Sequence, residues 1–122
     1  GIVHGVMPDI APEPLAIDVV RNIRKVVSIP LVMHGASGVP DHEISEVISA
    51  GVSKINADTD LRFAFRKGME DVWSKGDAQL EVAMSSGREQ MVIATAEKMK
   101  LFGSAGKSRV YEKFSTEGLR KW

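Results

Sequence analysis

Two histidines in this chain are each followed directly by a glycine, and both stand where a short apolar run stops. His34 closes Leu31-Val32-Met33 and opens Gly35-Ala36-Ser37-Gly38, while His4-Gly5 follows Ile2-Val3. A third run, Val52-Ser53-Lys54-Ile55, ends in Asn56-Ala57-Asp58-Thr59-Asp60. Neutral imidazoles hold divalent metals such as zinc or polarise a carbonyl. Glycines on either side of a serine let backbone N–H groups approach an anion closely. Short amide, hydroxyl and carboxylate side chains cap a following helix or hydrogen-bond a ligand. Each stretch alone is common, and His4 by itself also reads as an incidental histidine. Three such ends at similar spacing point to one shared site.

Two imidazoles do not make a zinc site. Catalytic zinc takes three protein ligands and keeps one position open, and no third His, Glu or Asp stands out in this sequence. Asp58 and Asp60 read as caps or substrate contacts, and His42 as a solvated side chain. A site without metal would instead use His4 and His34 as general acid–base groups.

The elements that must position these groups follow from the intervals. Residues 6–14, with Pro8, Pro12 and Pro14, read as a loop. A helix is expected from about Glu13 to Val27, because Leu15, Val19, Ile23, Val26 and Val27 share a face that Arg21, Arg24 and Lys25 avoid. Ser28 and Pro30 stop it before the run Leu31–Met33. A short helix follows, with Asp41 as N-cap, Ile44, Val47 and Ile48 as its buried stripe and Gly51 just past its end. The next helix, about Leu61 to Ser74, is expected to be capped by Asp60 or Thr59 and to bury Leu61, Phe65, Met69, Val72 and Trp73. After a turn at Lys75-Gly76-Asp77, residues from Ala78 to Phe102 read as helix interrupted near Ser85-Ser86-Gly87, its methionines filling the core. Gly103-Ser104-Ala105-Gly106 ends it.

Strand end, helix, strand end, helix is the rhythm of a parallel α/β sheet. In such folds ligands bind at the C-terminal ends of the strands. In a (β/α)8 barrel the loops after the last two strands, with a helix N-terminus, often hold a phosphate. The glycine–serine and Asn–Thr loops suit that task.

Composition narrows the partners. The length, 122 residues, is ordinary for one domain. Sixteen basic and sixteen acidic side chains cancel, which gives no reason to expect nucleic acid or an anionic membrane as a partner. There is no cysteine, so disulfides and thiolate metal sites are excluded, which fits a cytoplasmic setting. No apolar run approaches the roughly 18–20 residues of a membrane span, and no signal peptide is read at the start.

Val3-His4-Gly5, Pro30 to Gly38, Lys54-Ile55-Asn56-Ala57-Asp58-Thr59 and Phe102-Gly103-Ser104-Ala105-Gly106-Lys107, in that order, resemble the C-terminal part of the class II, metal-dependent ketose-bisphosphate aldolases. The resemblance implies a fold class of α/β type: the last portion of a TIM (β/α)8 barrel, about three βα units plus terminal helices. It would occupy residues 1–107, with 108–122 as a C-terminal tail. It implies that His4 and His34 are two of the ligands of a Zn2+ cofactor. Gly5, Gly35, Ala36, Ser37, Asn56, Ala57, Asp58 and Thr59 would hold dihydroxyacetone phosphate, chiefly its phosphate.

The implied activity is reversible cleavage of fructose or tagatose 1,6-bisphosphate into dihydroxyacetone phosphate and an aldehyde phosphate. In the family the general base and the other metal ligands lie on strands before residue 1, so no catalytic residue is assigned within this chain. Val6-Met7-Pro8-Asp9 stands where the family often carries a Tyr-Lys-Gly type segment. The alternative is a non-catalytic barrel remnant that binds phosphate or a partner. Either way, three parallel strands leave open sheet edges, so a homo-oligomer is expected.

Overall fold

The computed structural model describes residues 14–76 and 79–108. Its elements are α1 (Ile17–Val26), β1 (Leu31–Met33), α2 (Asp41–Ser49), β2 (Val52–Ile55), α3 (Thr59–Trp73) and α4 (Leu80–Leu101). The first expected strand end, His4-Gly5, and the tail from residue 109 lie outside the described residues.

β1 and β2 pair in parallel, Leu31 opposite Val52, Val32 opposite Lys54 and Met33 opposite Ile55, with an irregularity between Leu31 and Val32. The crossover between them is α2. Its apolar stripe does what the spacing predicts. Ile44 and Val47 are fully buried and meet Met33, Ala36, Val39 and Val52 in one cluster, with Ile48 packed against it. Pro40, not Asp41, is the N-cap residue. The Pro40 carbonyl accepts the first helical bond from Ile44 N at 3.1 Å. Asp41 therefore falls inside the first turn, where its charge complements the helix dipole without capping a backbone donor. Gly51 follows the C-cap residue Ala50 with a left-handed φ of +114°, the role its position suggested.

α1 starts at Ile17 rather than near Glu13. Residues 14–16 are not helical: Ala16, the N-cap residue, has φ −77° and ψ 68°, the Ile17 N–H donates to the Leu15 carbonyl at 2.8 Å, and the Leu15 N–H donates to Glu43 Oε2 on α2 at 2.7 Å. At the other end Arg24 Nη1 donates to the Val27 carbonyl at 2.9 Å and satisfies one of the helix's free acceptors.

The largest departure from expectation is α4. It runs unbroken from Leu80 to Leu101, straight through Ser85-Ser86-Gly87. Gly87 is not a breaker but a contact point. A Cβ on Gly68 of α3 would lie 2.7 Å from the Ser86 carbonyl oxygen and 2.8 Å from Gly87 Cα. A Cβ on Gly87 would lie 2.9 Å from the Phe65 carbonyl oxygen. Glycine inside a helix costs about 1 kcal/mol relative to alanine. Here that cost is offset by the close packing of two backbones that only hydrogen side chains permit. At the helix end, Leu101 and the C-cap residue Phe102 pack against the core cluster around Ile44. No described helix is long and apolar enough to cross a membrane.

Candidate phosphate and metal loops

The loops after β1 and β2 lie side by side because their strands are adjacent and parallel. Asn56 N–H donates to the Met33 carbonyl at 3.0 Å, and Ala36 N–H donates to the Asn56 carbonyl at 3.3 Å. These bonds carry the ladder past the strand ends and bind one loop to the other. Gly35 and Gly38 adopt φ of 72° and 80°, a region costly for any side chain with a Cβ. The chain thereby turns twice within four residues and tucks Ala36 and Ser37 into the interior, 1% and 5% exposed.

Ser37 is more than buried filler. Its Oγ accepts the Asp60 N–H in the first turn of α3 at 3.3 Å. α3 has no side-chain cap of its own, since the Asp58 carboxylate turns instead to Arg62 Nη2 at 2.7 Å. Neither Asp60 nor Thr59 is the N-cap residue; that position belongs to Asp58. The serine of one loop thus serves as a donor's partner for the helix that follows the other loop. Because Ser37 Oγ accepts from the backbone, its own hydroxyl proton remains available to a ligand.

His34 is exposed, and its Nδ1 lies 2.8 Å from Asn56 Nδ2. Lys54 Nζ donates to Asn56 Oδ1, which leaves the amide NH2 facing the ring. Nδ1 then acts as the acceptor and the proton of the neutral ring sits on Nε2. A neutral imidazole has one free lone pair. A metal at His34 must therefore displace Asn56 from Nδ1, or bind Nε2 while the amide turns its oxygen to an Nδ1–H. Either way an amide beside an exposed imidazole fits one ligand position with an orienting partner. Among the described residues no group of three or more His, Cys, Asp or Glu could hold a metal ion. His4, the other expected ligand, and Gly5 lie outside them.

The structure thus brings together Gly35, Ala36, Ser37, Asn56, Thr59 and His34, and leaves Asp58 pointing to Arg62 on the surface. Two lysines were not singled out by the sequence reading. Lys54 carried a faint signal, a charge inside an otherwise apolar strand run. Lys98 carried none, and it reaches Asp60 Oδ2 at 2.6 Å from the far end of α4.

This chain is similar to known proteins over most of its length. A model of the family described as fructose-bisphosphate aldolase class-II matches residues 1–107. The sulfofructosephosphate aldolase of Alkalicoccus urumqiensis is 41% identical over 113 residues, 91% of this chain and 39% of that protein. The fructose-bisphosphate aldolase of Geobacillus stearothermophilus is 34% identical over 110 residues, 88% of this chain and 38% of that protein. Among solved structures, the YdjI aldolase from Escherichia coli K12 superposes with a TM-score of 0.71 at 39% identity, over 80% of this chain and 36% of that one. The chain spans about two-fifths of the length of these curated relatives.

Proposed function

This chain belongs to the class-II fructose-bisphosphate aldolase family, and from that premise we propose that it is the C-terminal portion of a zinc-dependent ketose-bisphosphate aldolase. Its α/β elements are the last βα units of a (β/α)8 barrel, with residues 1–107 in the barrel and 108–122 as a tail. The reaction is reversible carbon–carbon cleavage of a ketose bisphosphate to dihydroxyacetone phosphate and an aldehyde. Fructose and tagatose 1,6-bisphosphate are the candidate substrates. The sulfofructosephosphate aldolase among the relatives adds a sulfonated fructose phosphate to that set. The whole enzyme is read as a cytoplasmic homo-oligomer.

The observation that carries this reading is the joining of the two loops at the strand ends, Ala36 N–H to the Asn56 carbonyl and Asp60 N–H to Ser37 Oγ. Backbone N–H groups of Gly35, Ser37 and Gly38 and the Ser37 hydroxyl receive the phosphate of dihydroxyacetone phosphate, while Ala36 spends its N–H on the Asn56 carbonyl and holds the loop in shape. Gly5, Asn56, Ala57 and Thr59 line the rest of its site, and Asp58 stays with Arg62 on the surface. His4 and His34 would hold zinc, which when bound would supply a Lewis acid for the ketone oxygen. Asn56 then has a second task. Were zinc to displace it from His34 Nδ1, its amide would be free to hydrogen-bond the substrate; with zinc on Nε2 the amide would orient the ring instead. The base that takes the C–H proton lies on the part of the barrel before residue 1, so these residues bind and orient but do not themselves remove a proton.

The test is zinc titration into the purified chain by calorimetry, with dihydroxyacetone phosphate present, alongside His34→Ala. Stoichiometric binding at about micromolar Kd or tighter, roughly −8 kcal/mol, weakened at least about tenfold in the variant, is the expected result. Affinity that is the same in both proteins removes His34 from the ligand set.

A further inference from the structure

The last helix has no part in the site described so far, yet one of its side chains ends there. The ion pairs Arg21–Asp18, Arg62–Asp58, Arg66–Glu70 and Lys67–Asp71 each lie within one helix, on side chains more than half exposed. Such pairs contribute little. Lys98–Asp60 is of another kind. It joins the C-terminal part of α4 to the first turn of α3, at 2.6 Å, with the two side chains only 22% and 24% exposed. Asp60 is also the residue whose N–H is held by the buried Ser37.

Asp60 carries a negative charge in the first turn of a helix that has no side-chain cap. An anion there is favoured by the helix dipole, although the N–H groups of Asp60, Leu61 and Arg62 already have acceptors in Ser37 Oγ and the Asp58 carbonyl. An unpaired Asp60 carboxylate would be such an anion itself. It would occupy the favourable end of the dipole in place of any phosphate seated in the neighbouring loop, and repel it. Lys98 removes that competition by holding the carboxylate on its α4 side.

We propose that Lys98 is a positioning residue for the phosphate loop: by pairing with Asp60 it keeps the N-terminus of α3 and the Ser37 loop open to the substrate's phosphate. This rests on the reading of the Gly35–Gly38 loop as a phosphate site. It makes the end of the last helix part of substrate binding, although no group of α4 touches the substrate.

The test titrates inorganic phosphate into the full chain and four variants, Lys98→Met, Lys98→Arg, Asp60→Asn and the Lys98→Met/Asp60→Asn double variant. Lys98→Met is expected to weaken binding about tenfold, the scale of one unscreened like charge nearby. Lys98→Arg keeps it within about twofold, since the pair survives. Asp60→Asn binds as tightly as the parent or more so, and the double variant recovers most of the loss. A pair that merely supports the fold gives another pattern, because Lys98→Met and Asp60→Asn then weaken phosphate alike. That pattern, or equal binding in the parent and Lys98→Met, overturns the proposal. If Lys98→Met does not fold, Asp60→Asn decides alone: unchanged or tighter binding supports the proposal and weaker binding overturns it. Absence of phosphate binding in the unsubstituted chain is a separate outcome. It refutes the loop as a phosphate site and removes the proposal with it.

Discussion

α1 and α4 are opposite cases. Of the four helices among the described residues, α1 has the most sharply segregated apolar face, yet none of its residues is buried. Val19 and Val26 on that face are 55% and 83% exposed. A half-open groove of about 300 Å³ runs between it and the sheet, lined by Leu15, Val19, Ile23, Leu31, Val32 and Val52 among others, while Ile17 and Val20 pack against the core cluster. α4 has almost no segregation of apolar from polar residues, yet it buries Ala83 and Gly87 and lies backbone to backbone against α3. An apolar stripe states which face seeks cover; it does not say that the cover lies within the same stretch of chain. A close helix crossing needs no stripe, only small residues opposite one another. In the reading proposed above, the face of α1 meets the rest of a barrel whose larger part lies in the relatives' remaining length.

Substitutions can sharpen this contrast. Ile44→Ala on α2 gives the scale for a stripe that is covered. The side chain is 1% exposed, and its loss is expected to cost about 3 kcal/mol by urea denaturation. Gly68→Ala tests the α3–α4 crossing. Alanine raises helix propensity by about 1 kcal/mol, but its Cβ would stand 2.7 Å from the Ser86 carbonyl oxygen, which is backbone and cannot swing aside. A net destabilisation of about 2 kcal/mol is expected; a gain in stability would mean the helices are not in contact at that point. Val26→Ser on α1 has the smallest expected effect, under about 0.5 kcal/mol, because the side chain is 83% exposed. A loss as large as that of Ile44→Ala would show that α1 is covered in solution, and the contrast between the two helices would disappear.

Much of the site was legible in the residues. The apolar runs stopping at His34 and Asn56 marked strand ends, and glycine and serine are poor material for anything but a loop there. The stripe Ile44, Val47 and Ile48 fixed which face of α2 meets the sheet. What failed were the local rules applied where a distant group intervenes. Asp60 looked like a cap, but its carboxylate goes to Lys98 on α4 and its backbone donor to Ser37, 23 residues earlier in the chain. Glu13 looked like the start of a helix, but α1 begins at Ile17, after a turn in which the Ile17 N–H bonds the Leu15 carbonyl and the Leu15 N–H bonds Glu43 on α2. Ser85-Ser86-Gly87 looked like a break because a glycine's cost is visible in sequence while its partner, Gly68, is not.

The sequence by itself determined the alternation of strand and helix, the two loops that carry His34, Ser37 and Asn56, and the family. These depend on periodicity, on glycine's backbone freedom and on ordered motifs, all of which are local in the chain. Tertiary structure alone decided that Ser37 serves α3, that Asn56 faces the ring of His34, that Gly68 meets Gly87, and that Lys98 reaches Asp60. Each of these joins residues whose separation carries no periodicity. A hydrogen bond or an ion pair acts over about 3 Å, so only the packing of the elements can bring such partners within range.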